Sequence, residues 1–317
     1  MLNEVIFVSG TSFSGSTMLD MILSNDPEGF SCGQVYNMFY PIKPHQINPP
    51  CDCGDLHCKV WRRVYREGPR KLYSSISEMF PKAKFVVDSS KDPCWVARQE
   101  RSARAEGMRV KHVLTWKSPE GLAASFAKRG RSRSRFVSTY LNYHRNYNSL
   151  VADWIGVQHE SLINDPAVLG RLCERIGIPM FAGKERFWEK QHHALFGNNS
   201  AKVSLYSQDH PRFDAIRKMR VRIDGETSTP MTEHRSIYHG QSATVSALDG
   251  LDEDTLLKLK QIAEGLRARS VGPTDESQVN TPGIELPRTG RLVSLVRCAS
   301  DAGHRQLSRL RYRQHFA

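Results

Sequence analysis

Long apolar runs are missing from the start of this sequence: Val5-Ile6-Phe7-Val8 gives way at once to Ser9-Gly10-Thr11-Ser12. So short a run can neither cross a bilayer nor form the centre of a secretory leader. The expectation is therefore a cytoplasmic protein with no transmembrane segment, at most peripheral at a membrane surface. Acidic residues are also scarce, with 33 Asp+Glu against 45 Lys+Arg and a formal charge of +12. That excess concentrates anionic ligands near the chain and points to a polyanionic cofactor, an acidic acceptor, nucleic acid or a membrane surface. There are seven cysteines, an odd number in a large chain, which argues for thiols or a metal rather than a disulfide framework. No internal repeat is present, so solenoids and propellers are excluded. With 39% hydrophobic and 25% charged residues, the composition is that of a globular protein, not a disordered one.

Along the chain, apolar runs alternate with helical patterns. Val5–Ser9 reads as a buried strand, 10–15 as a turn, and Ser16–Asn25 as a helix with Met18, Leu19, Ile22 and Leu23 on one face. Lys84–Asp88, Val110–Thr115 and Trp154–Gln158 read as further strands, with helices predicted over Phe136–Ala152 and from Asp165-Pro166 to about Ile176. Strands alternating with helices imply an α/β fold with a parallel sheet. The domain expectation is one α/β unit over 1–250. A C-terminal appendage over 251–317 is expected to consist of a helix, a Pro/Gly/Ser/Thr-rich linker from Val271 to Gly290 and a basic tail, Arg291–Arg313.

Ser9-Gly10-Thr11-Ser12-Phe13-Ser14-Gly15-Ser16-Thr17 stands between the first strand and the first helix. A turn there presents backbone N–H groups and the positive end of the helix dipole to a phosphate. The loop of nucleoside triphosphatases needs G-x-x-x-x-G-K-[ST]; here Ser16 stands in place of the lysine, which argues against simple ATP or GTP hydrolysis. A Gly/Ser-rich turn without a ligand is the plain alternative. After the third strand, Trp116-Lys117-Ser118-Pro119-Glu120 has the pattern of a helix start, with Ser118 as N-cap and Pro119 as the first helical residue. Ser125 falls about two turns along on the face of Ser118, so Lys117 and Ser125 can grip a second phosphate together.

Two phosphate grips on a parallel sheet resemble the sulfotransferases that use 3′-phosphoadenosine-5′-phosphosulfate (PAPS). Val8–Leu19 is similar to their 5′-phosphosulfate loop, and Lys117 with Ser125 to their 3′-phosphate site. Val87-Asp-Ser-Ser-Lys91-Asp-Pro93 resembles the segment after their second strand. Gln158–Leu162 with Asp165-Pro166 resembles a strand-to-helix segment of bacterial members, and Trp188–Asn198 their late His-x-x-x-Gly-Asn element. The resemblance implies a three-layer α/β/α fold with a central parallel sheet, P-loop-like and related to nucleotide kinases. It further implies donor binding by residues 10–17, Lys117, Ser125, Arg129, Gly197 and Asn198, with Lys91 near the bridging oxygen that leaves. The acceptor would be a hydroxyl or amine of a glycan, lipid or small metabolite, acidic ones included.

Three positions depart from the pattern. Phe13 stands where relatives carry Lys or Arg, Lys117 where they carry Arg, and Gln34 near the position of a glutamate general base. An amide cannot take a proton, so His45, His192 and His193 are the candidate imidazole bases, with His45 foremost. The departures keep open a catalytically silent protein that binds adenosine 3′,5′-bisphosphate or acidic polymers. A kinase-like phosphotransferase is the other enzyme reading.

The segment Cys51-Asp-Cys53-Gly-Asp-Leu-His57-Cys58, with His45 nearby, has soft ligands enough for zinc, although C-x-C-x₄-C is not a finger spacing. Cys51, Cys53 and Cys58 are candidate ligands of a structural ion, with metal-free thiols as the alternative. The resemblance makes this segment a loop over the acceptor site. Lys128-Arg-Gly-Arg-Ser-Arg-Ser-Arg135 reads as a basic loop whose first two residues reach the 3′-phosphate or adenosine, and whose remainder either contacts an acidic acceptor such as a polysaccharide or an anionic lipid headgroup or is a solvated loop. No nucleic-acid-binding signature accompanies it.

Overall fold

The computed structural model describes residues 1–47, 49–55, 57–202, 205 and 245–272. The basic tail 291–313 and the linker from 273 onward lie outside the described residues.

In chain order the elements are β1 (Glu4–Ser9), α1 (Ser16–Leu23), β2 (Gly29–Gly33), α2 (Tyr36–Phe39), α3 (Val60–Glu67), α4 (Leu72–Met79), β3 (Phe85–Asp88), α5 (Pro93–Ala105), β4 (Arg109–Trp116), α6 (Pro119–Ala127), α7 (Arg133–Leu150), β5 (Ile155–Gln158), α8 (His159–Asn164), α9 (Pro166–Ile176), α10 (Asn199–Lys202) and α11 (Glu253–Ala268). The strands form a five-stranded parallel sheet in the order β2-β3-β1-β4-β5. Strand side chains alternate between two cores, as their period of two requires. Val5, Phe7, Val86 and Leu114 face the layer containing Trp95, Leu122, Tyr140 and Tyr147. Ile6, Val8, Val87 and Val113 face Leu19, Ile22, Leu169 and Leu172. Helices on both faces make the expected three-layer α/β/α fold. Val5 to Val8 are fully buried, which fits β1 at the centre of the sheet.

The helices start where local chemistry directs. Asp92, Ser118, Ser132, Asp165 and Asp252 each accept a backbone N–H of the first turn, and Pro93, Pro119 and Pro166 occupy first helical positions. α7 begins at Arg133, inside the basic run read as a loop, because Ser132 accepts from the N–H of Arg135. Glycine 177 ends α9 in the left-handed conformation.

Both sheet edges are covered. Beyond β2, Leu195 donates its N–H to Cys32 (3.2 Å) and accepts from the Gln34 N–H (2.7 Å), so Gly33 and Leu195 form a parallel bridge. The amine of Lys190 holds the same segment in place by donating to the carbonyls of Ser24 (2.9 Å), Asp26 (2.5 Å) and Gly29 (2.7 Å). Beyond β5, Val271 donates to Gly156 (3.0 Å) and the Trp116 indole to Ser270 Oγ (2.8 Å). α11 buries Leu259, Ile262 and Leu266 in the same core as β1 and α7. Among the described residues no helix is long and apolar enough to cross a membrane.

Candidate functional site

The strand order reverses around β1, which pairs with β3 on one side and β4 on the other. The loops leaving the carboxyl ends of these strands therefore diverge and leave a crevice between them. A cleft of ≈ 510 Å³ opens there, lined by Ser12, Phe13, Gln34, Lys91, Lys128, Arg129, Arg131 and the 197–199 stretch. Its walls carry Lys91, Lys128, Arg129 and Arg131, while no carboxylate or imidazole is among its described lining residues. Such a cleft attracts a polyanion.

The loop after β1 brings Ser12 and Phe13 to the lining of the cleft. Thr11, Ser14 and Ser16 are buried and their hydroxyls have no hydrogen-bond partner among the described residues. Buried polar groups are rarely left so, and each unpaired one costs about 1–3 kcal/mol. Together with the amino end of α1 they fit the oxygens of a phosphate or phosphosulfate. Glycine 15 has φ +96°, and a Cβ there would collide with the imidazole of His159. Burial, and next the charge of Lys117, hold that imidazole down at about 3, so it stays neutral under the loop. Thr17 Oγ1 accepts the N–H of Asn198 (2.9 Å), which joins the late Gly197-Asn198 element to this loop.

Phe13 (φ +72°), Lys91 (φ +66°) and Phe196 (φ +56°) are the non-glycine residues with positive φ among those described. Two line the cleft and the third precedes Gly197. Bulky residues in this region cost of order 1–3 kcal/mol each and persist only where neighbours over-determine them. One such neighbour is Tyr143 on α7. Its hydroxyl accepts the Gly10 N–H (2.8 Å) and donates to the Lys91 carbonyl (2.8 Å), stapling the β1 and β3 loops together. Asp20 of α1 is the other anchor, accepting from Ser31 Oγ (2.6 Å) of β2 and Ser89 Oγ (2.5 Å). Burial raises its carboxyl to about 7 against the pull of those hydroxyls. The Lys91 amine is lowered to about 8 by burial, offset in part by the Asp20 charge.

At the end of β4, Lys117 Nζ donates to Ser125 Oγ (3.2 Å), and Arg129 Nη1 donates to the Ser125 carbonyl (2.8 Å). The predicted pair is thus adjacent, with Arg129 beside it. Burial, followed by repulsion from Arg129 and Lys128 and opposed by Glu160, lowers the Lys117 amine. An anion placed among these three cations would relieve that strain.

The histidine expectations fare differently. His45 is exposed on a 3₁₀ turn, Pro44–Gln46, and is not among the residues lining the cleft. His192 is buried, its Nε2 beside the Phe187 carbonyl (2.8 Å), and burial lowers it to about 4. His193 meets the cysteines: Cys51, Cys53, Cys58 and His193 bring their ligand atoms within 4.8 Å of one another. Neither His57 nor His45 belongs to that group. Sequence reasoning missed Tyr143, whose aromatic spacing marks only a packed helix; Arg131, read as either an acceptor contact or a solvated residue, lines the cleft.

No protein-family model and no curated protein matches the sequence. Among solved structures, the chain is similar to the sulfotransferase domain of the Synechococcus PCC 7002 olefin synthase, with 14% identity, a TM-score of 0.53 and coverage of 84% of this chain and 95% of that one. It is similar also to the sulfotransferase domain of the curacin biosynthetic pathway, with 15% identity, a TM-score of 0.53 and coverage of 84% and 98%. Parallel sheet, strand-end cleft and near-complete overlap with both domains together give this chain the sulfotransferase fold.

Proposed function

We propose that this protein is a sulfotransferase that moves a sulfuryl group from PAPS to a hydroxyl or amine of a glycan, lipid or small metabolite. The observation that carries the reading is a pair of separate anion grips, the hydroxyls of Thr11, Ser14 and Ser16 and the Lys117–Ser125 pair with Arg129, whose loop neighbours Ser12 and Phe13 on one side and Arg129 itself on the other line one cleft. A donor with a 5′-phosphosulfate and a 3′-phosphate needs two such grips. The loop lacks the lysine of nucleoside triphosphatases, which weighs against a kinase-like reaction.

In this reading the residues act by positioning and charge. The 10–17 loop holds the phosphosulfate with its backbone and hydroxyls. Lys91 stabilises the charge that grows on the bridging oxygen as its bond to sulfur breaks in line with the attacking acceptor atom. Lys117, Ser125 and Arg129 hold the 3′-phosphate. Gln34 lines the cleft but cannot accept a proton, so the acceptor's proton leaves to water in the open cleft. That favours acceptors that give it up readily.

Gln34 and the absence of carboxylate or imidazole among the described lining residues also favour a second reading, a protein that binds adenosine 3′,5′-bisphosphate without turnover. Calorimetric titration with the bisphosphate, beside ADP with Mg²⁺, tests the donor site. Bisphosphate binding that exceeds ADP binding and weakens in Lys117→Ala supports it. Preference for ADP, or no binding, overturns it. Transfer of labelled sulfate from PAPS to any member of an acceptor panel then separates enzyme from silent binder.

A further inference from the structure

The four ligand atoms of Cys51, Cys53, Cys58 and His193 lie within 4.8 Å of one another. His193 Nδ1 is 3.5 Å from Cys51 Sγ and 3.6 Å from Cys58 Sγ. A tetrahedral zinc ion with Zn–S of about 2.3 Å and Zn–N of about 2.0–2.1 Å requires sulfur–nitrogen edges of about 3.6 Å and sulfur–sulfur edges of about 3.8 Å. The edges from Cys51 and Cys58 to His193 already have about the first value, and Cys53 Sγ lies within 4.8 Å of the other three ligand atoms. Three thiols and one imidazole form a soft, closed set that suits zinc and leaves no position for substrate.

The surroundings hold these groups in place without an ion. Glycine 54, at φ +81°, turns the chain back after Cys53. The Asp52 N–H donates to the Ala194 carbonyl (3.2 Å), and Gln191 Nε2 to the Cys53 carbonyl (3.1 Å). The Trp61 indole donates to the His193 carbonyl (2.5 Å), while the imidazole stacks on Phe30, with ring centres 6.0 Å apart. Asp52 pairs with the buried amine of Lys202. The cysteine spacing alone fails as a finger because the fourth ligand comes from a segment far along the chain.

We propose that Cys51, Cys53, Cys58 and His193 bind one structural zinc ion that fastens the loop before α3 to the segment leading into Gly197 and Asn198. The site is independent of the donor reading. Its occupant adds to the hydrogen bonds that already pair Leu195 with β2 and seat Asn198 on Thr17, as structural zinc ions reinforce segments too short to pack alone.

The test uses the full chain, purified under reducing conditions without chelator. Elemental analysis is expected to find about one zinc per chain. Replacement by Co²⁺ is expected to give thiolate-to-cobalt charge-transfer absorption in the near ultraviolet and the visible bands of tetrahedral cobalt. Cys58→Ser and His193→Gln should weaken retention by more than the about tenfold that even an outer-shell change costs. His57→Ala should retain zinc. A reduced wild-type chain with neither zinc nor the cobalt thiolate band overturns the proposal, as does an unchanged cobalt spectrum in His193→Gln. Should the ligand variants fail to fold, the wild-type cobalt spectrum still decides.

Discussion

The guanidinium carbon of Arg129 lies 4.3 Å from the centre of the Phe13 ring. Phe13 stands where the resembling loops carry a cation, and its ring, edge-on to Phe126 at 5.2 Å, carries one from the end of α6 instead. The positive charge reaches the cleft from another element. Arg129→Ala is expected to weaken adenosine 3′,5′-bisphosphate binding about tenfold, ~1.4 kcal/mol. Phe13→Ala should cost about threefold, because the ring only steadies the guanidinium. Titration calorimetry measures both; unaltered affinity in Arg129→Ala removes that residue from the site.

Lys117 and Ser125 are expected to read the 3′-phosphate alone. Lys117→Ala should weaken binding of adenosine 3′,5′-bisphosphate about tenfold or more and leave adenosine 5′-phosphate binding nearly unchanged, since a charged hydrogen bond contributes about 1.5–3 kcal/mol. Equal losses for both nucleotides would assign Lys117 to the 5′ end or to folding.

Lys91 sets a pH dependence. Its amine, lowered by burial to about 8, is charged below that value and neutral above it. An anionic ligand needs the charged form, so bisphosphate affinity should fall as pH rises through 8, and binding should draw a proton into the site there. Arginine stays charged throughout. Lys91→Arg should therefore lose most of this dependence, keeping only what Lys117, also lowered by burial, contributes. A variant that tracks the wild type between about pH 7 and pH 9 would show that Lys91 does not face the anion.

Much of this site was legible in sequence because its signals are local. The β1 loop, Lys91 after β3, and Ser118-Pro119 after β4 each combine a strand with a turn or cap inside a few residues. β2 was not legible: Gly29-Phe-Ser-Cys-Gly33 has two glycines and no β-branched residue, and only pairing with β3 and Leu195 makes it a strand. The fourth metal ligand was misplaced for a related reason. His57 is adjacent to Cys58 in sequence, but tertiary structure brings in His193. The Gln34 segment suggested His45 as a base by proximity in sequence, whereas the turn at Pro44 leaves that imidazole in solvent.

Tyr143→Phe removes one hydroxyl and two hydrogen bonds, from Gly10 N–H and to the Lys91 carbonyl. Each is worth about 0.5–1.5 kcal/mol net, so chemical denaturation should show a loss of ~1–3 kcal/mol. The bonds join two loops held in strained conformations, so donor affinity should fall as well, with the acceptor KM least affected. A stability loss with unchanged bisphosphate affinity would make the staple purely structural.

Gly33 and Gly68 together separate backbone strain from steric exclusion. Both have positive φ, +62° and +88°, but a Cβ at Gly68 meets nothing within 4 Å, whereas one at Gly33 would collide with the Leu195 carbonyl oxygen and come within 2.7 Å of its nitrogen. Gly68, at ψ 170°, sits in backbone space open essentially to glycine alone, so Gly68→Ala should cost the conformational penalty and nothing more, about 1–3 kcal/mol. Gly33→Ala must in addition break the bridge that holds 193–198 against β2, and about 2 kcal/mol or more beyond the Gly68 value is expected. The same displacement would carry Asn198 away from Thr17 and His193 away from the cysteines, so nucleotide affinity and zinc retention should fall together in Gly33→Ala and in neither case in Gly68→Ala. Equal stability losses in the two variants would mean that the Leu195 segment yields freely, and that β2 does not position the late end of the cleft.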